Sequence, residues 1–298
     1  MKPCLVITGG TGFVGRNLLP LIPSEYEIKL IVAGGRKFES NKFTTITPSE
    51  LSKEVWAENT QVLHMAVARG TKSASFKRKL EIDFTLKLAQ KAISQGVASF
   101  VFLSCFANKN HTEVELGLVE LFKGADTRLI ILKLPILYGP YCRGPMRFLF
   151  QTAKKGRGLP LQGVDLPHYR LFVGNLIQSI LIAFKKADLS GVYKVTDSIP
   201  VSLKDFYQQA MEELSPEEKP FWPIGGQIVH FVANIIKKLL QWVRLERAAS
   251  LLEAFWLPQD LSGQDFFSAL TLKPKWDHVS SIKITAKWFA KMEEELES

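Results

Sequence analysis

The first half of the chain alternates short apolar runs with longer stretches in which apolar residues recur every three or four positions. Cys4–Thr8 reads as a buried strand, followed by an amphipathic stretch at Phe13–Leu21. Ile28–Val32 and Phe43–Thr47 are the expected second and third strands, and Gln61–Ala66 the fourth. A long helix is predicted from Ser73 to Gln95, ended by Gly96, the residue type that most readily takes a left-handed C-cap. Ser99–Ser104 gives a fifth strand, Glu113–Phe122 a helix and Arg128–Pro135 a sixth strand. Alternation of this kind implies βαβ units, a parallel sheet covered on both faces, and ligands at the carboxyl ends of its strands.

Beyond Gly139-Pro140 the rhythm changes. Helices are expected at Met146–Lys155, Asn175–Lys186 and Leu203–Leu214, with strands at Tyr169–Val173 and Val192–Val195. From Gly225 to about Phe255 the pattern is almost continuously helical. The expected fold is therefore α/β: a Rossmann domain with a doubly wound parallel sheet over 1–140, and a smaller, mostly helical substrate lobe over 141–298, partly interwoven with it. No long linker separates the halves, so a shared cleft is expected rather than two independent beads.

Composition narrows the class. With 298 residues, 46% hydrophobic and 22% charged, the chain is close to the globular average. No run of about 18 apolar residues predicts a membrane span, and the N-terminal apolar run is too short for a secretory signal. The three cysteines, Cys4, Cys105 and Cys142, have neither disulfide-framework nor zinc-site spacing, which favours a reducing, cytoplasmic setting and no metal. Asn110-His111-Thr112 matches a glycosylation sequon, which means nothing without a secretory route. The 38 Lys and Arg against 29 Asp and Glu leave a formal charge of +9, which suits an anionic partner.

The residues Thr8, Gly9, Gly10, Thr11, Gly12, Phe13, Val14 and Gly15 supply a candidate partner. Gly9, Gly12 and Gly15 form G-x-x-G-x-x-G directly after a predicted strand and at the opening of a helix. Such a loop permits a tight turn, lets backbone approach a pyrophosphate and lets helix and strand pack closely. The pyrophosphate then lies at a helix N-terminus, where N–H groups and the dipole favour anions. Gly10 to Gly15 also has P-loop spacing, but Arg16-Asn17 stands where that loop needs Lys-Ser/Thr. A dinucleotide cofactor is expected, not nucleotide hydrolysis.

The second strand has no carboxylate at its end to bind the ribose hydroxyls, and Arg36 and Lys37 follow. These cations suit a 2′-phosphate and tilt the expectation from NAD towards NADP; the alternative is that both are solvated loop charges.

These motifs resemble the extended short-chain dehydrogenase/reductase superfamily, in particular its NAD-dependent epimerase/dehydratase family. TGGTGFVG is similar to that family's cofactor loop, and Val62-Leu63-His64-Met65-Ala66 resembles a fourth-strand motif whose end lies beside the cofactor. Phe100–Ser104 resembles the fifth strand that ends in the catalytic serine, and Leu134–Pro140 the family's Y-G-P turn, with Lys133 near the usual Arg. Leu171–Leu176 is similar to a later F-V-x-V-x-D-L segment, with Asn175 at the acid. The resemblance implies cofactor contacts from the glycine loop and from Ala66, Val67 and Pro135, with Ser104 polarising a substrate oxygen.

The catalytic Tyr-x-x-x-Lys is missing, for no tyrosine lies between Ser104 and Arg128. Either His111 takes the Tyr position with Glu115 at the Lys, or Thr112 takes it with Leu116 at the Lys; Glu120 favours the second alignment. His111 is a candidate acid/base, its ordinary pKa lying near neutrality. The competing reading is a surface His in a polar loop beside Asn108, Lys109 and Asn110. Tyr138 and Tyr141 are expected to pack as aromatics, and Cys105 to be a small core residue.

Residues 227–244 combine a broad apolar face with Lys237, Lys238 and Arg244. The pattern fits a helix packed in the lobe, or one lying on an anionic membrane surface at its inner face. Basic pairs elsewhere are scattered without a recognition motif, so no nucleic-acid partner is expected. Two functional readings follow. One is an NAD(P)-dependent epimerase, dehydratase or reductase acting on a nucleotide- or lipid-linked sugar, with a diphosphate-bearing substrate and a homodimer left open. The other is a non-catalytic NADP-binding sensor or scaffold with a degenerate active site.

Overall fold

The computed structural model describes residues 2–32, 42–67, 74–106, 109–159, 161, 166–221 and 264–297. Arg36, Lys37 and the amphipathic stretch 227–244 lie outside the described residues. The chain divides into two compact units: Met1–Leu134 with Ile177–Val195 and Gly263–Leu270, and Pro135–Leu176 with Thr196–Ser262 and Thr271–Ser298.

The first unit carries an eight-stranded sheet. Its strands are β1 (Cys4–Thr8), β2 (Glu27–Ile31), β3 (Thr44–Ile46), β4 (Gln61–His64), β5 (Ser99–Cys105), β6 (Arg128–Leu134), β10 (Gly191–Lys194) and β12 (Gln264–Asp265). They lie in the order β12-β10-β6-β5-β4-β1-β2-β3, every neighbouring pair parallel. This is the doubly wound order expected from the alternation, reversing direction between β1 and β4. Helix α1 (Phe13–Leu18) carries the chain from β1 towards β2. Helices α2 (Ala74–Ser94) and α3 (Lys109–Leu121) carry it the opposite way, from β4 to β5 and from β5 to β6. Right-handed crossovers then put α1 on one face of the sheet and α2 and α3 on the other.

Side-chain alternation sorts the core. Val6, Val62, Phe100 and Phe102 pack with Leu88, Ala89 and Ala92 of α2 and with Val114 and Leu118 of α3. Thr8, His64 and Ser104 follow the same parity at the carboxyl ends of their strands, so they face that same layer. The short α7 (Phe266–Ala269) completes this unit, with Phe266 set edge-on to Tyr193 of β10.

The second unit is the more helical one. It holds α4 (Gly144–Lys154), α6 (Leu203–Leu214) and α8 (His278–Glu297). Two two-stranded sheets accompany them: β7 (Ile136–Tyr138) with β9 (Arg170–Phe172), parallel, and β8 (Pro167–His168) with β11 (Val201–Ser202), antiparallel. Helix α5 (Val173–Lys185) has its residues divided between the two units. The core of the second unit is aromatic: Phe150 stacks on Phe289 and meets Phe206 edge-on, and Phe206 is edge-on to Tyr138. Ser202 starts α6 by accepting the Asp205 N–H at 3.0 Å, an N-cap that side-chain oxygen is suited to make. No described helix is long and apolar enough to cross a membrane.

Candidate functional site

The glycine loop sits at the point where strand order reverses. Gly9 has φ +75°, and a Cβ there would stand 2.9 Å from the Met65 carbonyl carbon, so β1 and the segment after β4 approach as backbone against backbone. A Cβ on Gly15 would fall 2.0 Å from the Gly10 oxygen, so α1 can close on the loop only with glycine at that position. No side chain caps α1 and no acid stands in its first turn. Thr8 to Gly15 thus form a backbone-lined cradle that fits the diphosphate of a dinucleotide, with Thr11 and Gly12 at its lip and Phe13 and Val14 opening α1. Ala66 and Val67 follow β4 beside it, whereas Pro135, between β6 and β7, is the first residue of the second unit.

Thr8 anchors a buried polar chain. Its hydroxyl oxygen accepts the N–H groups of Met65 and Ala66, both at 3.1 Å, so its own proton goes to His64 Nδ1 at 2.6 Å. On the far side of the ring, Thr85 donates to the Glu81 carbonyl at 2.7 Å and therefore accepts from His64 Nε2 at 2.8 Å. His64 is neutral and carries its proton on Nε2. Burial, with His111 nearby, lowers its pKa to about 3.

The Glu81 side chain continues the chain to His111. The Cys105 N–H donates to His111 Nδ1 at 2.6 Å, which leaves the ring proton on Nε2, facing Glu81 Oε1 at 2.9 Å. His111 is 3% exposed and packs on Phe102. The surface position expected from its polar neighbours is thus corrected. The helix begins at Lys109 rather than at Glu113, which turns His111 inward over β5. Both of its ring nitrogens are engaged inside the protein.

Ser104 has different company. Its hydroxyl donates to Glu115 Oε1, and Glu115 Oε2 pairs with Lys133 Nζ at 3.2 Å. Ser104 and Lys133 are register partners on β5 and β6, and Glu115 reaches them from α3, four residues after His111. Ser104 is 1% exposed, whereas the Glu115 and Lys133 side chains keep 13% and 17%. The acid falls where one alignment put the missing lysine, and a lysine from the next strand supplies the cation. Sequence reading named Glu115 and Lys133 separately, but cross-strand register is what joins them. Glu81 and Thr85 were missed, although Glu81, Thr85, Leu88, Ala89 and Ala92 share the buried face of α2 at helical spacing.

The second unit has its own buried cluster. Asp197 accepts both the Phe172 N–H and Asn175 Nδ2, and the Tyr138 hydroxyl donates to it at 2.9 Å. Burial raises the Asp197 pKa to about 6 and that of Tyr138 well above its ordinary value. Asn175 also donates to the Trp276 carbonyl and accepts the Trp276 N–H, an exchange that needs an amide and not the acid of the resembling motif. Tyr138 is buried among aromatics, and Tyr141 packs against Trp288, as expected.

Comparison with known proteins bears directly on the first unit. Residues 5–118 match the model of the NAD dependent epimerase/dehydratase family. The matched segment holds the glycine loop, the His64 chain, Ser104 and Glu115. A UDP-glucose 4-epimerase of Vibrio cholerae is 25% identical, over 75% of this chain and 79% of that protein. Among solved structures, the Bordetella bronchiseptica enzyme WbmF, in complex with NAD+ and UDP, superposes with a TM-score of 0.70 at 14% identity. That match covers 99% of this chain and 95% of the other. Human epimerase family protein SDR39U1, with NADPH, gives a TM-score of 0.66 at 15% identity, covering 95% and 99%. These two likenesses concern the fold.

Proposed function

We propose that the chain is a nicotinamide-dependent enzyme of epimerase/dehydratase type, acting on a sugar carried by a nucleoside diphosphate. The observation that carries this reading is the Ser104–Glu115–Lys133 cluster in the same unit as the glycine cradle, at the carboxyl ends of neighbouring strands. A passive nucleotide-binding sheet has no need of a serine, a carboxylate and an ammonium linked at its ligand end. The names of the relatives, with UDP-glucose, UDP, NAD+ and NADPH among them, support the substrate class and leave the choice between NAD and NADP to Arg36 and Lys37.

When bound, a nicotinamide supplies reversible hydride acceptance. The residues of the chain hold and orient. The Gly9–Gly15 backbone receives a diphosphate, and the Thr8–His64 hydrogen bond fixes the loop to the end of β4. Ser104 holds Glu115, which with Lys133 keeps the exposed surface of the cluster for the substrate's reacting oxygen. Purified protein should quench or shift NADH or NADPH fluorescence and convert a UDP-sugar into an epimer, a dehydrated sugar or a reduced sugar, followed by proton NMR. Cofactor binding with no change in any UDP- or TDP-sugar would instead favour the sensor or scaffold reading, which the missing Tyr-x-x-x-Lys already supports.

A further inference from the structure

We propose that Glu115 is the acid/base that exchanges a proton with the substrate hydroxyl, with Ser104 and Lys133 as its positioning residues. The inference rests on the function proposed above and deepens it. His111 is poorly placed for the task, because Cys105 N–H and Glu81 engage its two nitrogens and it is buried. Ser104 is nearly sealed, and its proton is directed to Glu115. Glu115 has a different geometry. One oxygen accepts from Ser104 and the other faces Lys133, while a carboxylate has about four lone-pair sites, so acceptor capacity remains on both oxygens. Its side chain also keeps 13% exposure, where Ser104 is 1% exposed.

The surroundings hold this carboxylate in place. On α3, His111 one turn earlier is committed to Glu81 of α2, and Glu113 is paired with Arg78 of α2. From β5 comes the Ser104 hydroxyl, and from β6 the Lys133 ammonium. The Ser104 hydroxyl on one oxygen and the Lys133 ammonium facing the other fix the orientation of the carboxylate before substrate arrives. The step assigned to Glu115 is confined to the proton. The substrate O–H bond breaks, its proton bonds to a Glu115 oxygen, and the electron pair stays on the substrate oxygen. In the reverse direction the same oxygen returns the proton.

The test combines a readout in the cofactor-free protein with one during turnover. In the wild type without cofactor, 15N NMR should show Lys133 Nζ as an ion-paired ammonium with slowed proton exchange, assigned with Lys133→Arg and lost in Glu115→Gln. Glu115→Gln should bind NADH or NADPH within about twofold of wild type and lose about 100-fold or more in turnover of a UDP-sugar. Added formate should restore part of the rate to Glu115→Ala, which loss of a structural contact would not permit. An Nζ signal unaffected by Glu115→Gln overturns the pairing on which the inference stands. Wild-type turnover retained by Glu115→Gln within about threefold overturns the inference and leaves the proposed function intact. A wild type that binds neither NADH nor NADPH overturns both.

Discussion

Each unit of the molecule buries a polar cluster, and the two are built on different electrostatic terms. In the first unit, His64 is neutral and links Thr8 to Thr85 through hydrogen bonds whose direction is fixed by the backbone at either end. In the second, Asp197 gathers an N–H, an amide and a phenol, with Arg170 buried nearby and its pKa lowered to about 10 by burial. The first cluster ends on the glycine loop and on the residue after Ser104. The second ties β9, α5 and the Trp276 backbone together. A neutral imidazole at His64 holds ligand-facing backbone without placing a fixed charge beside it. A buried acid whose hydrogen bonds are met by neighbouring backbone and side chains serves instead as a scaffold knot.

The largest expected effect separates the two units by pH. The folded pKa of His64 lies below its unfolded value near 6.5, at about 3, so the protonated ring is disfavoured in the native state. Its contribution is fully present above pH 6.5 and is lost as pH falls through 6.5 towards 3. At about 1.4 kcal/mol per unit, that amounts to roughly 4–5 kcal/mol. Protection factors of the β1 and β4 amides, which correct for the intrinsic slowing of exchange in acid, should fall steeply over this window. A first unit whose protection stays constant from pH 6.5 to 4 would refute the neutral-His account.

The second unit should respond weakly over much of the same range, because two groups oppose each other. Asp197 is raised from 3.8 to about 6, so its contribution is present below pH 3.8 and lost as pH rises through 6. His278 is lowered by burial, and further by Arg170, from 6.5 to about 4, so its contribution is present above 6.5 and lost as pH falls through 4. Between pH 4 and 6 the slopes nearly cancel. Asp197→Asn removes one of them and places an amide donor before the Phe172 and Asn175 donors. The variant should be less stable overall, and its stability should rise with pH between 4 and 6.5 by up to about 1.4 kcal/mol per unit. Urea unfolding at four pH values, read at amides of α6, checks the change of slope.

A smaller effect is expected from Gly15→Ala. The new methyl would lie 2.0 Å from the Gly10 oxygen, and both atoms that must move are backbone. Overpacking of this kind costs about 1–3 kcal/mol. Displacement of the loop should also abolish NADH and NADPH binding, a loss larger than the stability change alone produces. Isothermal titration on folded protein distinguishes the two effects, and wild-type affinity in the variant would remove the loop from the site.

Legibility followed the range of the interactions. The strands, their order and the glycine loop are carried by local patterns: apolar runs, period and Gly spacing. Ser104 was found because it ends a strand that any reader of apolar runs can place. His111 was misplaced as a surface residue because its sequence neighbours are polar, while its structural partner, Glu81, is 30 positions away. The Ser104–Glu115–Lys133 linkage depends on the register of β5 against β6, which no one-dimensional pattern encodes. Asn175 looked like a departure from an acidic motif, yet its amide is what lets it donate to Asp197 and exchange hydrogen bonds with the Trp276 backbone, 101 positions away.

The smallest expected effect lies on α3 itself, two residues before Glu115. Glu113 pairs with Arg78, but their side chains are 52% and 56% exposed, against 13% and 17% for Glu115 and Lys133. Water screens the outer pair and both side chains lose entropy in forming it, so such contacts contribute about 0–1 kcal/mol. Glu113→Gln should therefore leave urea stability within about 0.5 kcal/mol of wild type, with the residual difference shrinking further in 0.5 M salt. The same change at Glu115 removes the charge that faces the Lys133 ammonium and weakens the acceptor of the Ser104 hydroxyl, in a site with little water. Equal stability losses in the two glutamine variants would show that exposure does not set the worth of these pairs, and would weaken the case that the inner one is a preorganised site.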